Sequence, residues 1–455
     1  MKAWILPSAM VVVAAVAVVG AGLSPTPPLP QETIRESSTR VSVVCPSFQT
    51  ATATVRVAAV GIDQPVRTSK LSSPQKTAET DGMAVVQNPG EPVRVSVPRA
   101  QGFGATTAST AAEGPARGLA LASCLAPQAE HWFTGVDVSD QSQSELVLVN
   151  LDSTDAVVDL VVYGTGGRLA APRGLTVPGA SATKVSLGVI KRQADPVTIE
   201  VSTSQGRVAA FVRQFTWQGS TPYAADWVPD GVGPQTDQVL PGVLGGKGRR
   251  SLVVTNSGDR VADVQVNVLG PTGLMQLTDA QNLEVPPGAS RLVDLAGGLA
   301  GEFAGLHLTS NVPVVAGMLA DNGLANAAID SAVLGSASPL PADAIWPLAA
   351  GASTASVLQL VNAGEQEQTV QVSTGDGKRQ VKTTEVTVGA NTTMQFKLPK
   401  ANAQTIRIQG ASGKMYGSLI ATTTTGSVKG IAVLDLVADE SRAHQAAVAY
   451  DPHLS

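Results

Sequence analysis

Few residues in this chain could do chemistry. Its 455 residues include two cysteines, Cys45 and Cys124, and four histidines, His131, His307, His444 and His453. There is no HExxH, CxxC, phosphate loop, EF-hand loop or GxSxG elbow. His307 sits in Leu306-His307-Leu308, where alternation turns it away from a core. His444 and His453 fall in a short terminal tail. Spacing leaves a Ser-His-Asp triad open, but no histidine has suggestive neighbours. Each reads as an exposed or locally bonded surface residue. No catalytic residue, metal site or cofactor is expected, and the chain reads as non-enzymatic.

Asp226, Asp330 and Asp435 recur at intervals of 104 and 105 residues. Calcium held between β-domains would use such carboxylates, but it needs several converging oxygens, and no DxD cluster stands beside them. They read as turn or strand-end aspartates. Asn150, Asn256 and Asn362 recur 106 residues apart and read as strand-end residues bonding their own backbone.

The aromatic residues are unevenly spread. Phe211, Phe215, Trp217, Tyr223 and Trp227 lie close together, and Phe211, Arg213, Phe215 and Trp217 would share one strand face. Two readings are open: a seam between the first and second repeats, or a platform for a sugar ring or partner protein. Nearby Lys247, Arg249 and Arg250 form a Gly-flanked basic loop. Solvated charge is its ordinary reading, and a glycan phosphate or acidic partner the sharper one.

The elements carrying these residues repeat at about 105 residues. An alternating strand ends in Asn three times: ELVLVN, SLVVTN and VLQLVN. A second strand follows each, then a turn in LTVPGAS, LEVPPGAS and VTVGANT, where Gly179, Gly288 and Gly389 would supply the permissive backbone. A hairpin-like pair follows, centred on Ser204-Gln205-Gly206, Ser310-Asn311 and Ser412-Gly413. Six or seven short strands per repeat match an immunoglobulin-like sandwich in size, without its hallmark Cys pair and Trp.

The segment before the repeats reads as a smaller, looser β-domain, a degenerate copy of the repeat. Its Gly, Ala, Ser and Thr-rich stretch from Gln101 to Gly118 reads as mobile. Cys45 and Cys124 lie near its opening and closing strands. Outside the cytoplasm they would form a disulfide, stabilising by ~4 kcal/mol on the chain-entropy argument; two buried thiols are the other reading. Their separation argues against a redox pair.

Met1 and Lys2 precede an uncharged apolar run, Ala3 to Leu23, spanning ~32 Å as a helix, about one bilayer core. Lys2 places the N-terminus in the cytoplasm and the bulk outside. The alternative is a signal peptide cleaved after Val19-Gly20-Ala21, giving a secreted protein. Pro25, Pro27, Pro28 and Pro30 make a stiff linker. The net charge of -5 argues against a nucleic-acid partner.

Several landmarks together resemble an actinobacterial cell-envelope family defined by a domain of unknown function. They are the N-terminal apolar segment, VVCPS, the later Cys followed by HWFTG, the ADWVP passage and VLPGV. His131 departs from the pattern, standing where a second aromatic residue before Trp132 is expected. Members tend to be encoded near a family-2 glycosyltransferase, so the resemblance implies envelope glycan biology by association only.

The expected protein is all-β: an N-terminal transmembrane helix followed by tandem immunoglobulin-like β-sandwich repeats in an elongated scaffold. The expected divisions are a signal-anchor over 1–24, a linker over 25–37 and a disulfide-bearing β-domain over 38–131. Repeats over 132–235, 236–340 and 341–440 follow, then a tail over 441–455. Expected partners are the membrane, through the N-terminal helix, and an envelope protein or glycan. The expected function is an extracytoplasmic envelope scaffold, accessory to a membrane glycosyltransferase or glycan-assembly complex. A carbohydrate-binding array acting on envelope glycans is the alternative.

Overall fold

The computed structural model describes residues 40–437, apart from 49–51, 63, 99, 101, 191, 278–281, 325–328, 350–353, 377–379 and 400–403. The expected membrane helix, linker and tail, with His444 and His453, lie outside the described residues. Among the described residues, no helix is long and apolar enough to cross a membrane.

The described chain is all-β, with helix confined to the turns Leu187–Val189 and Ala296–Leu299. Alternation builds it: the strand Ala262–Gly270 buries Ala262, Val264, Val266 and Val268 while Asp263 and Gln265 face water. Strands associate in four successive groups. In the first repeat, one sheet orders Ser181–Ser186, Ser142–Asn150, Ala209–Gln218 and Thr221–Val228. The other centres on Ala156–Gly164 and Val197–Gln205, flanked by Glu130–Val136. The third repeat follows the same order, with Thr392–Lys397, Ala355–Asn362, Met415–Thr425 and Val428–Asp435 in one sheet. The N-terminal group does too: Met83–Gln87, Thr52–Val60, Gly102–Ala111 and Gly118–Ser123 stand in those places. It is a fourth copy by strand order, stapled by the disulfide Cys45–Cys124.

Four expectations change. The hairpin-like pairs are not hairpins. Val197–Gln205 and Ala209–Gln218 belong to different sheets, as do Thr405–Gln409 and Met415–Thr425. In the second repeat the expected turn at Ser310-Asn311 is absent, and one 18-residue strand, Ala304–Asp321, serves both sheets. Crossing between sheets lets a sandwich form from short connections.

The stretch expected to be mobile forms the strand Gly102–Ala111, paired on both sides. Its small residues permit close packing, since a Cβ on Gly104 would overlap the Ile345 carbonyl. The left-handed turn position is also shifted. Gly288 occupies it (φ 64°), but Ala180 and Asn391 fill the equivalent places instead of Gly179 and Gly389. Gly179 is required for another reason: a Cβ there would overlap the Ser153 carbonyl.

The four groups do not extend in a line. The strands Gly118–Ser123, Thr221–Val228, Ser331–Gly335 and Val428–Asp435 pack against one another in a closed cycle, first group against last. Gly430 permits the closure, because a Cβ there would lie 2.9 Å from that of Leu119. The expectation of an elongated scaffold therefore fails on this contact.

Candidate functional site

The repeated polar residues explain how the cycle is held. Asn150, Asn256 and Asn362 are wholly buried and bond alike. Asn256 Nδ2 donates to the carbonyls of Arg260 (2.6 Å) and Val285 (3.0 Å), and its Oδ1 accepts from Gly258 N (3.0 Å). Asn150 makes the same bonds to Thr154, Val177 and Asp152, and Asn362 to Gln366, Val388 and Gly364. The expected local bonding is present. The additional bond to Val177, Val285 or Val388 ties the strand to the opposite sheet.

The three aspartates are not turn residues, although Asp435 does end its strand, Val428–Asp435. They are buried where the four groups meet. Asp330 Oδ2 accepts from Leu119 N (2.9 Å) and Ile431 N (3.0 Å), and Oδ1 from Ser331 N. Asp226 Oδ2 accepts from Val333 N (3.0 Å), and Asp435 Oδ2 from Gly335 N (3.1 Å). Edge strands that cross instead of pairing leave backbone N–H groups without ladder partners, and a carboxylate can accept several at once. Burial pushes the Asp330 carboxyl up to about 7 and that of Asp435 to about 6, and raises that of Asp226 well above the usual range.

The aromatic cluster is a seam, but between the N-terminal group and the first repeat. Phe211, Phe215 and Trp227 are buried with Phe48, Ala120 and Ala122. Phe48 lies 4.6 Å from Trp227 and 5.6 Å from Phe215, centroid to centroid. Trp217 is partly buried against the same cluster, and the Tyr223 hydroxyl donates to Asp321 at 3.4 Å.

Arg250 is not solvated. Its guanidinium is buried and donates to the carbonyls of Leu244, Gly245, Arg249 and Asp321 at 2.7–2.8 Å. The loop turns around it because one planar fork satisfies four acceptors. Arg249 reaches the Asp321 carboxylate at 3.2 Å.

The site that the sequence did not reveal is a cleft of about 460 Å³ to which all four groups contribute. Phe103, Ser123 and Gln128 come from the N-terminal stretch, and Glu130, His131, Trp132 and Asp230 from the first repeat, whose strand Glu130–Val136 begins just before the expected boundary. Gln235, which opens the strand Gln235–Val243 paired with Ala304–Asp321, and Ser338 follow from the second, and Trp346 and Val437 from the third. Cys124 stands in its wall.

His131 is buried here, against the surface reading given above. Its Nε2 faces the Val208 carbonyl at 2.8 Å, and its Nδ1 faces Asp230 Oδ2 at 2.6 Å. A carbonyl only accepts, so Nε2 carries a proton and the Nδ1 contact is held by a second, shared with Asp230. Asp230 Oδ1 accepts from Trp132 N at 2.9 Å. Glu130 accepts from the Trp132 indole N–H. These bonds consume His131 and Asp230 in the wall. His307 bonds Asp237 (3.0 Å), which also holds Lys414 (2.5 Å), away from the cleft. Among the described residues, no His, Cys, Asp and Glu group is arranged to hold a metal ion.

A model for a family of unknown function, DUF5719, matches residues 84–399. The chain belongs to the DUF5719 family. The match runs from the closing strands of the N-terminal group into the third repeat and includes most of the cleft. Comparison with curated proteins finds no match. Among solved structures, Thermotoga maritima 1070 is similar at 20% identity, covering 23% of this chain and 94% of that one, with a TM-score of 0.19. Trypsin-activated alpha-2-macroglobulin from Escherichia coli is similar at 10% identity, covering 85% of this chain and 40% of that one, with a TM-score of 0.12. Neither superposition reaches the level that marks a shared fold.

Proposed function

We propose that this DUF5719 protein is a non-enzymatic, extracytoplasmic cell-envelope scaffold that binds a partner at its four-sided cleft. The convergence of all four β-groups on that cleft carries the reading. A cycle held by buried aspartates offers a rigid frame, and rigid frames lower the ordering cost of binding. In this reading the Ala3–Leu23 segment anchors the chain as a single-pass helix with its N-terminus inside, or is cleaved to release a secreted form. The Cys45–Cys124 disulfide supports an oxidising compartment. Paired antiparallel sheets in each group support the immunoglobulin-like description of the repeats. The actinobacterial resemblance suggests a membrane glycosyltransferase or glycan-assembly complex as the neighbour.

The carbohydrate-binding alternative loses its first platform, since Phe211, Phe215 and Trp227 are buried in a seam. A nucleic-acid partner is disfavoured by the net charge of -5 and by a cleft wall whose described residues include no Lys or Arg.

The test is photo-crosslinking in the native envelope with the reactive residue at Gln235, which is exposed at the cleft. A reproducible adduct with one envelope protein or glycan is expected at Gln235 and not at Trp227. Crosslinks confined to the same chain at both positions would contradict the proposal.

A further inference from the structure

The walls of the cleft restrict the chemistry of its guest. Ser123, Gln128, Gln235 and Ser338 line it, and none of their side chains has a hydrogen-bond partner among the described residues. Hydroxyl and amide groups each both donate and accept. A polyol is their complement, because each sugar hydroxyl also does both. An anion would only accept, and the described residues of the cleft include no Lys or Arg while presenting Glu130 and Asp230. An ammonium group would only donate, leaving the amide N–H groups unmatched. Phe103, partly buried at the cleft, offers apolar surface of the kind the C–H face of a sugar ring can cover. The volume of about 460 Å³ lies within the ~300–1,000 Å³ range of small-ligand pockets.

His131 and Asp230 also argue for binding without bond cleavage. Both ring nitrogens and both carboxylate oxygens are already engaged with each other or with backbone. Asp230 is therefore not available as one of two free carboxyl groups flanking a bond, as glycoside hydrolysis commonly uses.

We propose that the cleft binds an uncharged saccharide of one or two rings through Ser123, Gln128, Gln235 and Ser338. This rests on the reading of the cleft as the protein's binding site and names its ligand class.

The test uses the whole chain labelled with 5-fluorotryptophan and followed by fluorine NMR. Its five tryptophans give separate reporters, with Trp132 and Trp346 at the cleft and Trp227 in the seam. The probes are maltose, cellobiose, lactose and mannobiose, with glucose 6-phosphate and lysine amide as charged controls. At least one neutral disaccharide should shift the Trp132 or Trp346 signal with millimolar affinity while Trp227 stays still. The Gln128→Ala, Gln235→Ala double variant should weaken that binding by about tenfold or more. The proposal is overturned by silence from all four sugars, by a response to only a charged control, or by binding that the double variant leaves intact. If the sugars are silent but crosslinking at Gln235 captures one envelope protein, the scaffold reading stands and the saccharide does not.

Discussion

Asp330 Oδ2 accepts a hydrogen bond from the Ile431 amide at 3.0 Å, joining the second repeat to the final strand of the third. The same oxygen accepts from Leu119 N in the N-terminal group. One carboxylate thus links three groups of the cycle. Asp330→Asn would turn donors toward donors at one oxygen position. We expect a loss of ~3 kcal/mol in urea unfolding, since a buried partner is removed and N–H groups are orphaned. A Gly118→Ala variant should also destabilise, because its Cβ would overlap the Asp330 carboxylate at a backbone φ of 116°.

The pH dependence follows from the same buried groups. Burial raises the folded-state values of Asp330 to about 7 and of Asp435 to about 6. A raised value means the folded state holds the proton more tightly than the unfolded chain. Their contribution is therefore complete below the unfolded value of ~3.9 and is lost as pH rises through 6 to 7. Measured against Asp330→Asn, the advantage of the native chain should be largest near pH 4 and smaller at pH 8. Urea midpoints of both proteins across that range would show it. An advantage that grows with pH would contradict the assignment.

Asn256 should tolerate no substitute. Asn256→Ala removes three hydrogen bonds and leaves the Arg260 and Val285 carbonyls without this donor. The expected cost is ~2–4 kcal/mol. Asn256→Asp should cost at least as much despite its shape, because a carboxylate cannot donate to carbonyls. Denaturant unfolding of the pair separates lost donation from lost volume.

Arg250 offers a contrast between charge and geometry. Arg250→Lys keeps the charge but cannot reach the carbonyls of Leu244, Gly245, Arg249 and Asp321 together. We expect ~2–3 kcal/mol of destabilisation. Arg249→Lys, on the surface, should change stability by less than ~1 kcal/mol. Equal effects in thermal melts would contradict the buried clip.

Replacing both cysteines by serine should cost ~4 kcal/mol on the chain-entropy argument, because the bridge spans 79 residues. The loss should appear as a lower melting temperature of the native chain under reducing conditions, and the double variant should be insensitive to reductant.

The repeat was legible because Asn150, Asn256 and Asn362 act close to home. Each bonds residues two and four positions ahead, so a fixed spacing preserves a local motif. The N-terminal copy was harder to read for the same reason: its strand Thr52–Val60 ends without the Asn. The cycle was not legible, because Asp330 meets Leu119 and Ile431 across 211 and 101 residues. Nothing around Asp330 distinguishes that bond from a turn. The cleft was hidden similarly. Gln128, Gln235 and Ser338 are ordinary singly, and only closure brings them to one cavity. The aromatic cluster misled in the other direction, because a large apolar surface suits a seam as well as a platform.

Amide hydrogen exchange at Leu119 and Ile431 tests the closed cycle most directly. Both donate to Asp330 Oδ2, so both should exchange only through large-scale opening in the native chain. In Asp330→Asn the two amides should lose protection together, although they belong to the first and last groups. Rapid exchange at either site in the native chain, or a loss at one without the other, would contradict the cycle.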